Sequence, residues 1–145
     1  AYSSVYGNTQ SAAEIVANRL GEQGVKNIQM YDVSVTHPSY VVAEAFRYSH
    51  IVFATTTYNG GIFVTMENLL LDLKAHNLQN RTVALIENGT WAATAAGQMK
   101  NILSSMKGMN VIANPVTLKS SVKPEKRDEL IALADAICET LKKRY

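Results

Sequence analysis

Three short stretches of this chain carry residue types suited to holding an anion and a planar ring. They are Ser4-Val5-Tyr6-Gly7-Asn8-Thr9, Thr55-Thr56-Thr57-Tyr58-Asn59-Gly60-Gly61 and Glu87-Asn88-Gly89-Thr90-Trp91. The first lies between the tail of a buried strand and residues at helical spacing. A helix starting at Thr9 aims its unpaired backbone N–H groups, and the positive end of its dipole, back at that loop. Such a terminus holds a phosphate without a cationic side chain. The backbone N–H groups from Val5 through Tyr6, Gly7 and Asn8 to Thr9 would do most of the holding. Ser4 and Thr9 add hydroxyls, and Gly7 permits close approach or a positive φ. Neither Gly-x-x-x-x-Gly-Lys-Ser/Thr nor Gly-x-Gly-x-x-Gly occurs in the chain. A terminal monophosphate therefore suits the loop better than a triphosphate or a dinucleotide pyrophosphate. Taken alone, the stretch is equally an ordinary turn with an N-cap.

The other two stretches raise it above that reading. Tyr58 and Trp91 each offer one large aromatic ring, so a planar ligand between or beside them gains stacking and apolar burial. Asn59, Asn88 and the N–H groups of Gly60, Gly61 and Gly89 suit the polar edge of such a ring. Asn-Gly is also the strongest short hairpin signal. Helical patterns follow both Asn-Gly pairs, which argues against hairpins. Elsewhere the chemistry is sparse. His37, His50 and His76 lack ligand spacing and read as cap or surface residues, and no Ser-His-Asp set or paired carboxylates stand out. No catalytic or metal-binding residue is assigned. Asp32 suits either a ribose or a solvated turn, and Glu14 and Glu22 read as a solvated helix face.

Composition bounds the rest. The chain has 145 residues, 47% hydrophobic and 18% charged, which fits one ordinary globular domain with a real core. A net charge of +2 gives no reason to expect nucleic acid or an anionic membrane as a partner. There is no signal-peptide pattern and no apolar run long enough to span a bilayer, so a cytoplasmic location is expected. The single cysteine, Cys138, allows no internal disulfide and reads as an inert thiol in a late helix.

Helical and strand patterns alternate along the whole chain, as in an α/β protein with a parallel sheet. The opening strand is followed by a helix carrying Ala12, Ala13, Val16 and Leu20, closed by Gly21 and Gly24. Residues 27–33 form a second strand with Ile28 and Met30 alternating. Pro38 starts a second helix with Val42, Ala45 and Phe46 inward. Residues 50–54 read as a buried third strand. Met66, Leu69, Leu70 and Leu73 form a helical stripe. Residues 82–86 are the fourth strand, and a helix with Ala95, Met99, Ile102, Leu103 and Met106 ends at Gly108. The fifth strand, 111–118, is broken by Asn114-Pro115 and therefore belongs at the sheet edge. A last helix from Pro124 buries Leu130, Leu133, Ala134, Ile137 and Leu141. The expected fold is a doubly wound, five-stranded parallel sheet of order 2-1-3-4-5 with helices on both faces. Ligands of such sheets sit beyond the carboxyl ends of the strands, at the switch between the first and third, a rule of which flavodoxin is itself an example. All three stretches fall there.

Four motifs together resemble the C-terminal flavodoxin-like domain of the A-type flavodiiron proteins, over nearly the whole length. They are Ser4-Val5-Tyr6-Gly7-Asn8-Thr9, Thr57-Tyr58-Asn59-Gly60-Gly61-Ile62-Phe63, Met66-Glu67-Asn68-Leu69-Leu70 and Glu87-Asn88-Gly89-Thr90-Trp91. The first is common to flavodoxins generally, and the second and third are more specific. The resemblance implies FMN held by the three loops, which adds Thr56, Thr57 and Thr90 to the residues above. It implies electron delivery to a diiron site that reduces oxygen or nitric oxide. That site lies in a metallo-β-lactamase-like domain, reached across a head-to-tail homodimer and fed by a donor such as rubredoxin or a reductase. It also implies a peptide flip at Asn59–Gly60. Gly60→Ala is then expected to shift the one-electron potentials with little change in oxidised FMN affinity. Val64-Thr65 and Ala92-Ala93 stand where the family often has prolines, so those loops are expected to be less rigid. No histidine–carboxylate cluster is present for a diiron site, so the chain is expected to be a fragment of a longer protein. Two other readings stay open. One is an FMN-dependent NAD(P)H:quinone reductase of the same fold, and the other is an interaction module without a cofactor.

Overall fold

The computed structural model describes residues 1–3, 7–58, 60–89, 94–119 and 121–144. Its spine is β1 (His50–Tyr58), parallel to β3 (Thr82–Asn88) from His50↔Thr82 to Thr56↔Asn88. Both are fed by Val, Ile, Phe, Leu and Thr, which fit a buried pleated surface. On the far side of β3 lie two short parallel strands, β4 (Asn110–Val111) and β5 (Val116–Leu118). They are the two pieces of the predicted fifth strand, parted at Asn114-Pro115 on the sheet edge.

On the near side of β1, Tyr2 bridges in parallel to Ala54 and to Asp32. The order across the sheet is thus the predicted 2-1-3-4-5, with the first two strands thinned to single bridges. Tyr2 N–H donates to the Tyr31 carbonyl and Val33 N–H to the Tyr2 carbonyl, each at 2.9 Å. Met30, expected to face inward, is 38% exposed. An apolar cavity of about 190 Å³ separates residues 27–31 from the start of β1, lined also by Val16 and Leu20. In that segment only Ile28 is β-branched, and Asn27 and Gln29 resist burial, so little draws it onto the sheet. The sheet is also not wholly parallel. Its fifth member, β2 (Gly61–Ile62), folds back antiparallel on the end of β1.

Successive residues of β1 and β3 face opposite ways, which gives two cores. Phe53, Val83 and Leu85 pack under α2 (Pro38–Arg47), α3 (Val64–Ala75) and α4 (Ala95–Ser104). Ala54, Ala84 and Ile86 pack under α1 (Asn8–Glu22) and α5 (Pro124–Arg144). The predicted stripe of α3 is fully buried, as are Leu130, Leu133, Ala134 and Ile137 of α5. Three helical expectations shift. Gly21 lies inside α1, and Gly24, at φ 95°, makes the turn after it. In α2 the inward residues are Val41 and Ala45, with Phe46 46% exposed under the Arg81 guanidinium. α4 ends at Ser104, and Gly108 serves the next turn at φ 69°. No helix of the described residues is long and apolar enough to cross a membrane.

Candidate cofactor site at the carboxyl ends of the strands

The helix expected behind the first loop begins one residue early, at Asn8, with Gly7 as its N-cap. Gly7 has φ 83° and, being glycine, has no side chain with which to cap the helix. A Cβ at Gly7 would meet nothing within 4 Å, so the positive φ and not close packing calls for glycine. Thr9 is fully buried, and its Oγ1 lies 3.1 Å from Thr56 Oγ1. Just before the loop, Ser3 Oγ and Thr55 Oγ1 are 2.7 Å apart and buried. These hydroxyl pairs join the first loop to the second. Ser4, Val5 and Tyr6 lie outside the described residues, as do Asn59, Thr90 and Trp91.

The second stretch is more regular than predicted. β1 runs through Thr55, Thr56 and Thr57 to Tyr58, because threonine and tyrosine extend a strand readily. Thr57 then pairs with Ile62 and Tyr58 with Gly61, so the chain folds back on itself after Tyr58. Gly60 has φ 76°. The strands that flank the first Asn-Gly therefore do pair as a hairpin, and the second of them is so short that α3 begins two residues later. Before the second Asn-Gly, β3 runs on to Asn88, and Gly89 N–H donates to the Leu118 carbonyl at 3.0 Å, with no hairpin there among the described residues. Asn88 stands beside Thr56 in the ladder. Thr9, Thr56 and Asn88 thus bring the three loops to one crevice. In it the Thr57 hydroxyl is buried with no hydrogen-bond partner among the described residues.

Three neighbouring side chains were not legible as site residues. Glu87 is 5% exposed, near the end of β3. Its Oε1 accepts from Ala96 N–H at 3.3 Å and its Oε2 from the Thr117 hydroxyl at 3.1 Å. Thr94 Oγ1 donates to the Gly60 carbonyl at 2.7 Å, and Gln98 Nε2 donates to the same oxygen at 3.0 Å. Ile62 N–H donates to Gln98 Oε1 at 3.3 Å. The available signal for Glu87 was an acid at the end of an apolar strand. For Thr94 it was a hydroxyl residue at a helix start.

A flavodoxin family model matches residues 1–143. The chain belongs to the flavodoxin family. FMN is accordingly its cofactor, and the crevice fits both ends of that molecule. The α1 terminus behind Gly7, an N-cap residue with no side chain of its own to offer, matches a phosphate, and the Thr57 hydroxyl, without a hydrogen-bond partner among the described residues, offers a polar contact beside the ring loops. Several solved structures share the fold. Rubredoxin oxygen:oxidoreductase from Desulfovibrio gigas is 21% identical with a TM-score of 0.92, covering 98% of this chain and 35% of its own. The Flv1 flavodiiron core from Synechocystis sp. PCC6803 is 16% identical with a TM-score of 0.89, covering 99% and 35%. A flavodoxin from the domain Archaea is 22% identical with a TM-score of 0.85, covering 97% and 95%. This flavodoxin domain thus spans about a third of the flavodiiron structures and nearly all of the archaeal one. No curated protein matches the sequence itself.

The remaining candidates fall outside the crevice. Asp32 Oδ1 accepts from Ser34 N–H at 2.9 Å, the turn role, with nothing pointing to a ribose. His37 caps α2 by accepting from Ser39 N–H, and His76 sits exposed against the Asp72 carbonyl. His50 is instead half-buried, placed between Ser49 and the Thr140 hydroxyl at 2.9 Å, and so ties β1 to α5. Burial pushes the Cys138 thiol pKa up, which keeps it protonated and unreactive.

Proposed function

We propose that this flavodoxin domain delivers electrons to the diiron site of a flavodiiron oxygen or nitric oxide reductase. FMN, when bound, supplies the electron transfer, and the chain supplies position and electrostatics. Backbone N–H groups behind Gly7 and the Thr9 hydroxyl hold the phosphate. Thr56, Thr57, Asn88 and the glycine N–H groups of the second and third loops meet the ring. The carrying observation is the hairpin motif Thr57-Tyr58-Asn59-Gly60-Gly61-Ile62-Phe63, followed at once by the Met66-Glu67-Asn68-Leu69-Leu70 helix. Both belong to the flavodiiron pattern more than to free flavodoxins. On this reading the diiron ligands belong to a metallo-β-lactamase-like domain, rubredoxin or a reductase acts as donor, and the site is reached across a homodimer.

A second reading has its own support, since the archaeal flavodoxin is covered almost end to end. On that reading the domain is a free carrier. The FMN-loaded domain, reduced chemically, should pass electrons to an added diiron domain and restore oxygen or nitric oxide reduction. Failure to do so, with ready exchange with a soluble reductase, would favour the free carrier. Direct oxidation of NADH with quinone as acceptor would favour the reductase alternative.

A further inference from the structure

Thr94 occupies the N-cap position of α4 yet makes no cap hydrogen bond, at φ −112° and ψ −6°. An N-cap hydroxyl ordinarily accepts from the second or third N–H of its helix. Here that hydroxyl donates to the Gly60 carbonyl at 2.7 Å. The α4 terminus is served instead by Glu87, whose carboxylate takes the Ala96 N–H. Gln98, one turn along, reads the same hairpin from its other end. Its Nε2 donates to the Gly60 carbonyl at 3.0 Å, and its Oε1 accepts from Ile62 N–H at 3.3 Å. One amide thus satisfies a carbonyl and an N–H two residues apart, as a neighbouring strand would. The Gly60 oxygen receives two donors, its full capacity. A Cβ at Gly61 would lie 3.0 Å from Gln98 Oε1, so the missing side chain there is what lets Gln98 come so near.

We infer that Thr94 and Gln98 are positioning residues that fasten the β1–β2 hairpin to α4, the helix whose start Glu87 also holds, so that the second loop and the Glu87–Gly89 end of the third are fixed together for the flavin ring. Glu87 completes the arrangement by releasing Thr94 from capping. The inference rests on the FMN reading above, because only a ligand touching both loops gains from their being fixed together.

The test is a titration of the apoprotein with FMN and with riboflavin, followed by quenching of flavin fluorescence. In Thr94→Val/Gln98→Leu both ligands should bind roughly 10- to 100-fold more weakly, by the same factor, since three neutral hydrogen bonds are lost. Thr94→Ser, which keeps the hydroxyl, should bind like the wild type. Wild-type affinity in the double variant would overturn the inference, as would a loss confined to FMN, which belongs to the phosphate end. Hydrogen exchange in the wild-type apoprotein decides the matter even if the double variant fails to fold. The Ile62 amide should be protected, and exchange at the rate of an unstructured peptide would sink the proposal. Failure of the wild type to bind either flavin would refute the FMN reading, and the Ile62 exchange would still report on the hairpin.

Discussion

Toward β3, strand β1 makes seven consecutive parallel pairs, whereas toward the start of the chain the described residues give it one bridge, Tyr2 at Ala54, flanked by hydrogen bonds between Ala54 and the backbone of Ala1 and Ser3. The first side holds Phe53, Ala84 and Leu85 at 1% exposure or less. The second borders the apolar cavity and leaves Met30 in solvent. Yet on the proposed reading the phosphate loop hangs from the second side and the ring loops from the first. Stability is concentrated in one half of the sheet, and the cofactor site needs both. What connects them at the carboxyl end is a pair of hydroxyl contacts, Ser3 with Thr55 and Thr9 with Thr56.

The largest contrast should come from truncating one apolar side chain in each half. Phe53→Ala should cost about 3–5 kcal/mol, because a fully buried ring leaves a cavity that a seven-pair ladder cannot close. Ile28→Ala, in the half-buried segment beside an existing cavity, should cost about 1 kcal/mol. Urea denaturation of the two variants checks this. Equal losses would mean that the thin side carries as much of the fold as the ladder.

This contrast also marks what was legible in the sequence. Val52, Phe53, Ala54 and residues 82–86 announce buried strands by composition alone, and Asn114-Pro115 announces a broken edge. Periodicity located every helix and the crevice at the strand ends. It misplaced what depends on partners distant in sequence. Nothing near residue 30 reveals that Met30 lacks a neighbour, and α2 slipped by one position because Val41 and Val42 are equally apolar. The ends of β1 and β3 were set too early because threonine and asparagine read as loop residues when their ladder neighbours are unknown. Thr94 and Gln98 contact Gly60 from 34 and 38 residues away, a relation that no local pattern encodes.

Gly60→Ala sharpens the comparison on the ladder side, at the hairpin that extends β1. With φ already 76° and no atom within 4 Å of a Cβ, the penalty is purely conformational. About 1–2 kcal/mol should be lost from the structure itself, an effect on stability and FMN affinity together. Apoprotein melts and FMN titration check it. Intact affinity with shifted one-electron potentials would instead bear out the peptide-flip expectation.

The smallest effect concerns the contact between the halves. Thr9→Val keeps the volume of a fully buried side chain and removes its hydroxyl, so no cavity term enters. The lost pairing with Thr56, at 3.1 Å, should cost about 1 kcal/mol. Thr56 is only half-buried, so its abandoned hydroxyl can turn to water. The consequence for the ligand depends on which hydroxyl donates. If Thr56 donates to Thr9, the Thr9 proton stays free for a phosphate oxygen, and the variant should lose FMN affinity by roughly tenfold with riboflavin little changed. If Thr9 donates to Thr56, both flavins should weaken alike, because only the alignment of the loops is disturbed. The ratio of FMN to riboflavin affinity therefore reads the direction of this one hydrogen bond. An unchanged ratio and an unchanged melt would show that the thin side reaches the site without Thr9.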